Sequence, residues 1–243
     1  MKKRILITLL AALSVTSLSP AAVRTVPGAN AATAAETMKF ANGVYLGEVK
    51  NGLPHGKGKL TWSNNKWYMG DFVQGKRSGA GKYYNEYISE DGRTHRTVYN
   101  GAWKNDQMSG TGTFTDKVIE TTGEVVSNAI TTGEFGNNVW KSGYQVMHAV
   151  ADPDYSFMYK GNGTTISIWG TNGSLLQQWK EGNLFRVQYQ KGQVYKEYWI
   201  FPTDTAAEEK AKQASIRYLK NIASQAAPHL AKFEQLAKQV PLK

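Results

Sequence analysis

Two short stretches gather residue types that could do chemistry. Residues 52–62 read GLPHGKGKLTW, with three glycines, His55 and two lysines; residues 148–156 hold His148, Asp152 and Asp154. A glycine-rich loop can cradle phosphate on its backbone N–H groups. That requires G-x-x-x-x-G-K-[ST], and Gly56-Lys57-Gly58-Lys59 lacks the spacing. A histidine metal site needs a second ligand at a matching interval. The four histidines, His55, His95, His148 and His229, form no i, i+4 pair and no H-E-x-x-H frame. Asp152-Pro153-Asp154 beside His148 is foremost a turn signal. No G-x-S-x-G elbow exists, and the absence of Cys removes thiol nucleophiles. The sequence thus offers no catalytic residues, no metal ligands and no cofactor motif. An envelope-polymer hydrolase with two carboxylates far apart in the chain is the one enzyme class that would escape this reading.

Internal repetition explains the glycines instead. Segments beginning at Tyr45, Tyr68 and Tyr99 align in columns. Two residues on stand Gly47, Gly70 and Gly101; four on, Val49, Phe72 and Trp103. Eleven on are Gly56, Gly79 and Gly110, thirteen on Gly58, Gly81 and Gly112, and fifteen on Leu60, Tyr83 and Phe114. Even offsets share one face of a strand, so each hairpin presents a face of rings and glycines and an opposite polar face. Glycine inside a strand weakens it, so its recurrence needs a reason. The expectation is that a ring from the neighbouring strand lies over the space that each missing side chain leaves. Asn51-Gly52 and Gln74-Gly75 supply positive-φ turns, with Asp106 as the third copy's substitute. His55 aligns with Ser78 and Ser109, which marks a small polar turn position.

Tyr-x-Gly followed by (His/Ser)-Gly-x-Gly resembles the MORN repeat family, completely over residues 45–62 and nearly so over 68–85 and 99–116. The resemblance implies two-stranded hairpins stacked into an elongated antiparallel sheet, and a scaffold or recognition role. It also brings an association with membrane lipids, which does not follow from the glycine columns.

Outside the three copies the pattern frays. Residues 86–97 insert a charged stretch, with a turn at Asp91-Gly92, that should extend a hairpin. Residues 131–147 read as a degenerate fourth copy in which Gly133 and Phe135 fit, Thr131 replaces the tyrosine and Gly143 is one residue late, a bulge absorbing the difference. Residues 159–201 keep turn signals at Gly161-Asn162-Gly163, Asn172-Gly173, Gly182-Asn183 and Lys191-Gly192 between β-prone runs. From Thr203 the composition becomes helical, opened by a Thr205–Glu208 capping box. Ile216, Leu219, Ala223 and Ala226 recur at helical spacing, as do Leu230, Phe233, Ala237 and Val240, an amphipathic segment expected to cover the sheet's apolar face. The fold class is therefore mainly β, an elongated antiparallel sheet with a C-terminal α-helical segment kinked near Pro228.

The chain begins MKKR, then an apolar run and Ala29-Asn30-Ala31, the pattern of a secretory signal peptide cut before Ala32. Its removal leaves 25 basic against 19 acidic residues, a net of +6. No basic stripe with base-reading residues stands out, so nucleic acid is not the expected partner. Boundaries follow: signal peptide 1–31, linker 32–44, repeats 45–147, further hairpins 148–202 and helix 203–243. The expected function is a non-catalytic exported binding or scaffold protein, secreted or in the cell envelope, periplasmic where there are two membranes. Its partner would be a protein or an envelope glycan, the latter met by Trp62, Trp67, Trp103, Trp140 and Trp169. A membrane surface, met by basic turns or the C-terminal helix, is the alternative. Open sheet edges allow a homodimer.

Overall fold

The computed structural model describes residues 35–243; the expected signal peptide lies outside them. Thirteen strands form one sheet in sequence order, each antiparallel to the next. The first five are β1 (Glu36–Phe40), β2 (Gly43–Lys50), β3 (Leu53–Ser63), β4 (Lys66–Val73) and β5 (Lys76–Ile88). Next come β6 (Thr94–Lys104), β7 (Gln107–Ile119), β8 (Val125–Gly136) and β9 (Val139–Ala149). The last four are β10 (Tyr155–Gly161), β11 (Thr164–Gly170), β12 (Arg186–Lys191) and β13 (Val194–Trp199). At the usual strand spacing the sheet measures about 58 Å along its surface.

The repeat columns have a direct geometric counterpart. Gly47 pairs with Gly58, Gly58 with Gly70, Gly70 with Gly81 and Gly81 with Gly101. The row continues through Gly112, Gly133 and Gly143, one glycine per strand from β2 to β9. Tyr45, Tyr68 and Tyr99 lie on it. A Cβ at Gly58, Gly81 or Gly112 would overlap the ring of Tyr45, Tyr68 or Tyr99 respectively. Each ring thus covers the glycine two residues on in its own strand and that glycine's partner, so the covering ring comes from the same hairpin. Phe72 stands edge-on between Tyr45 and Tyr68 (5.0 and 5.1 Å), and Trp103 between Tyr68 and Tyr99 (5.2 and 5.3 Å). Phe135 closes the series against Tyr99 at 5.1 Å. These are favourable edge-to-face contacts. All three tyrosines are fully buried, in a cluster built by the repeat strands themselves.

The glycines eleven residues on have a different reason. Between Gly47↔Gly58 and Val49↔Pro54, Glu48 alone faces His55, Gly56 and Lys57. Asp71 and Ala102 stand in the same relation to residues 78–80 and 109–111. The bulge forces φ to +65° at Gly56, where glycine is the low-cost residue. The Tyr45 hydroxyl donates to the Glu48 carbonyl (2.7 Å), and Tyr68 and Tyr99 donate to the Asp71 and Ala102 carbonyls (3.0 Å each). Gly143 proves to be the equivalent of Gly58, paired with Gly133, so it comes a residue early: this bulge leaves only Lys141 unpaired.

Four further expectations need correction. The stretch read as a linker, 32–44, carries β1 and the start of β2. Asn172-Gly173 opens a helix, α1 (Leu175–Glu181), because Leu175 and Trp179 lie one turn apart and bury together. The C-terminal segment breaks at Ile222, not at Pro228, giving α2 (Ala206–Asn221) and α3 (Ala223–Ala237) with Pro228 inside α3. At that break the Trp179 indole donates to the Leu219 carbonyl at 2.7 Å, satisfying a terminal acceptor from outside the helix. Finally, the helices do not cover the aromatic layer. In β8, Phe135 belongs to the ring layer, whereas Ile130, of opposite parity, belongs to the helix-covered core. Asn128, on the same side as Ile130, donates to the Pro241 carbonyl at 2.9 Å. One sheet therefore carries two cores on opposite faces: glycine and rings in its first part, helices in its last. The capping box forms as expected, and residues 148–202 do continue the sheet.

Candidate binding surfaces

The five tryptophans separate by environment. Trp103 is core, 4% exposed, with its indole donating to the Gly81 carbonyl at 3.1 Å, so it is withdrawn from any binding role. Trp62 and Trp140 pack half-buried against the ring layer. Lys160 closes over Trp140, its ammonium 4.0 Å from the ring and donating to the Trp140 carbonyl at 2.7 Å. Burial lowers the Lys160 pKa. Trp67 and Trp169 are likewise half-buried but stand outside the ring layer, on opposite faces of the sheet.

Trp67 lies on the polar face of the repeats, stacked on Tyr84 at 5.5 Å with Lys59 and Lys82 beside it (5.5 and 5.9 Å). Leu46 and Met69 are more than half exposed on the same face. Carboxylates nearby are engaged: Asp71 with Lys57 at 2.5 Å, and Glu86 with Arg96 at 2.7 Å. This half of the sheet is basic and partly apolar.

Trp169 lies on the face opposite the helices, where β11, β12 and β13 place it level with Arg186 and Trp199. The Arg186 guanidinium sits between the two indoles, 4.9 Å from Trp169 and 4.3 Å from Trp199. One register step away are Gln188 and Glu197, joined by Tyr195. Sequence reading missed Arg186, Gln188, Tyr195, Glu197 and Trp199. The signal was there: from Arg186 to Trp199 polar or ring residues alternate with residues the helices bury, such as Val187, Tyr189 and Tyr198.

Residues of the two clusters considered for chemistry take part in packing and backbone contacts. His148 Nδ1 meets the Val240 carbonyl at 3.0 Å, and the ring stacks on Tyr155 at 4.1 Å, with Asp154 3.8 Å from Nε2. His55 sits in the first bulge, its carbonyl 3.5 Å from the Tyr45 hydroxyl. A pair that the sequence did not suggest is His95 and Asp116, 3.2 Å apart under Tyr87. Burial raises the Asp116 pKa against the pull of His95. No group of three or more potential metal ligands occurs among the described residues. Burial also pushes the Tyr45 and Tyr99 hydroxyls up to about 12, as expected for rings sealed against backbone.

His229 gives a pH test of the helix-side core. Its Nδ1 lies 2.9 Å from the Tyr144 hydroxyl, its ring 4.0 Å from Tyr159, and burial holds its pKa below the ordinary value. A histidine whose folded pKa is depressed binds protons more readily when unfolded, so stability falls as pH drops below about 6.5. Thermal unfolding from about pH 7.5 to about pH 5.5 should show a larger drop in Tm for the native chain than for His229→Gln. Equal drops would remove His229 as a contributor.

The MORN repeat family model matches residues 45–66, 68–85 and 99–117. MORN repeat-containing protein 3 of Xenopus laevis is 43% identical over 72 residues, 28% of this chain and 29% of that protein. Human alsin is 33% identical over 76 residues, 31% of this chain and 4% of alsin. The inactive protein tyrosine kinase pTKL of Plasmodium berghei is 32% identical over 73 residues, 5% of its length. The chain thus spans less than a third of each of these relatives. The matched columns are the ones that build the ring layer, from Tyr45 and its glycines to Phe114. Three segments within residues 45–117 of this chain thus match the MORN repeat, in their sequence columns and in the hairpins they form.

Proposed function

We propose that this chain is a non-catalytic exported binding or scaffold protein, working outside the cell or in its envelope on a protein or glycan partner. The observation that carries the reading is the placement of the two cores. Among the described residues, each half of the sheet closes one face with its own layer and leaves the other face as a surface of rings and polar side chains. Such a surface suits recognition, because side chains carried on a hydrogen-bonded sheet need little backbone ordering on binding. The pattern of residues 1–31 supports export. Immobilised residues 32–243, presented with solubilised host envelope and with purified wall polymer, should retain material from at least one of them. Retention from neither, or turnover of the polymer, would contradict the reading.

One observation favours a membrane surface as the second reading. Leu46 and Met69 are exposed beside Lys59 and Lys82, which pairs apolar insertion with cationic attraction. The C-terminal helices offer less apolar surface for such a contact, since Leu230, Phe233 and Leu236 pack into the core. The native chain should then float with anionic vesicles at low salt and much less with neutral ones, and Lys59→Glu/Lys82→Glu should lose the binding; equal flotation of the native and doubly substituted chains would remove this reading.

A further inference from the structure

The geometry points to a neutral polysaccharide as the ligand of the strip formed by Trp169, Arg186 and Trp199 with Gln188, Tyr195 and Glu197. The inference rests on the reading above, that the chain binds a partner outside the cell, and names the chemistry of one site.

Three features of the strip carry it. First, the rings are not needed for burial. Trp199 is 43% exposed and Tyr195 49%, on a terminal strand whose opposite face, through Tyr198, already packs under the helices. Large rings left in water on a built surface mark contact sites. Second, the groups beside the rings are planar and mixed in kind. The Gln188 amide donates to the Tyr195 hydroxyl (3.2 Å) and to Glu197 (3.1 Å), and Tyr195 donates to Glu197 at 2.8 Å. This fixes an acceptor carboxylate, an amide and a guanidinium within one register step. Vicinal hydroxyls, each both donor and acceptor, are matched by such a set, while the C–H faces of a sugar ring are matched by flat indole and phenol surfaces.

Third, the charge selects a neutral chain. Glu197 lies 3.7 Å from Arg186 and offsets its charge, and the neighbours on this face, Ser167 and Gln190, are uncharged. The cationic face of the sheet is the other one, at Lys59 and Lys82. A polyanion would be drawn there and not to the strip.

The test uses residues 32–243 and affinity electrophoresis through gels containing cellulose derivatives, xylan, β-glucan or soluble chitin, with an anionic polysaccharide alongside. The native chain should be retarded by at least one neutral polymer. Trp199→Ala and Gln188→Ala, checked for an unchanged Tm, should weaken that retardation by roughly tenfold or more, whereas Trp67→Ala should leave it intact. Retention on neutral polymers that is unaltered in folded Trp199→Ala overturns the inference. So does capture by host envelope without retention on any neutral polymer, a result that leaves the proposed function standing. Loss of self-association in Trp199→Ala, with no polymer bound by the native chain, would assign the strip to a second copy instead. Failure to capture anything from envelope or polymer removes the proposed function itself.

Discussion

Gly81→Val should be among the most damaging single substitutions in the protein, costing about 3 kcal/mol or more. Gly81 is central in the glycine row, paired with Gly70 on one side and Gly101 on the other. A Cβ there would run into Cε2, Cζ and Oη of Tyr68. That ring cannot step aside, because Phe72 and Trp103 hold it from both flanks and its hydroxyl is bonded to the Asp71 carbonyl. Displacing it opens the layer at its middle and exposes a fully buried side chain. Gly92→Ala is the control: φ there is +84° but nothing lies within 4 Å, so the cost should be only about 1 kcal/mol of backbone strain. Denaturant unfolding measures both. A double-mutant cycle of Gly81→Ala with Tyr68→Leu should show strong positive coupling, since removing the ring makes room for the methyl. Equal costs for Gly81→Val and Gly92→Ala would contradict the packing described.

The second large effect is expected at Asp106. Arg77 is buried in the ring layer, its guanidinium 4.5 Å from Trp103 and within 5.9 Å of Trp62, Tyr68 and Tyr83. Its only carboxylate partner among the described residues is Asp106, in the turn of the next hairpin, at 3.0 Å. Asp106 also accepts the Arg77 backbone N–H, and its own N–H returns to the Arg77 carbonyl. Asp106→Ala leaves a desolvated cation with rings but no anion, and should cost about 3 kcal/mol. Asp106→Asn keeps an acceptor and tolerates the positive φ of 68°, so it should cost less. Adding Arg77→Met to Asp106→Asn should recover much of the loss, because the buried charge is then gone. The interaction also ties consecutive repeats together, which is the nearest-neighbour coupling that repeat proteins depend on. The same position is filled by a Pro54–Gly75 backbone bond before it and a Met108–Asn138 bond after it.

Much of this was readable because steric demands repeat. A ring that must lie on backbone forces glycine at fixed offsets, and three copies make the offsets visible. The turns were equally legible, since Asn51-Gly52 and Gln74-Gly75 take the positive φ values that their residue types permit. The rest was hidden for identifiable reasons. The run Ser174–Glu181 is short and flanked by turn residues, so its apolar positions fit a strand as well as a helix. What decides for α1 is Trp179 reaching Leu219, forty residues away. Pro228 signals a break but does not require one there, and the connection at Ile222 is set by how α2 and α3 pack. The placement of the two cores on opposite faces is invisible in the pattern of either half alone. It is fixed where β8 carries Phe135 to one side and Ile130 to the other. The candidate strip was missed because its partners, Arg186 and Trp199, join Trp169 only through strand register.

The most direct test is the contact between tyrosine rings and the glycine row, measured by NMR on residues 32–243. Nuclear Overhauser effects should connect the Tyr99 ring protons to both Hα atoms of Gly101 and Gly112, with those glycine resonances shifted upfield by the ring. Glycine Hα shifts at random-coil values, without cross-peaks to Tyr99, would contradict the account.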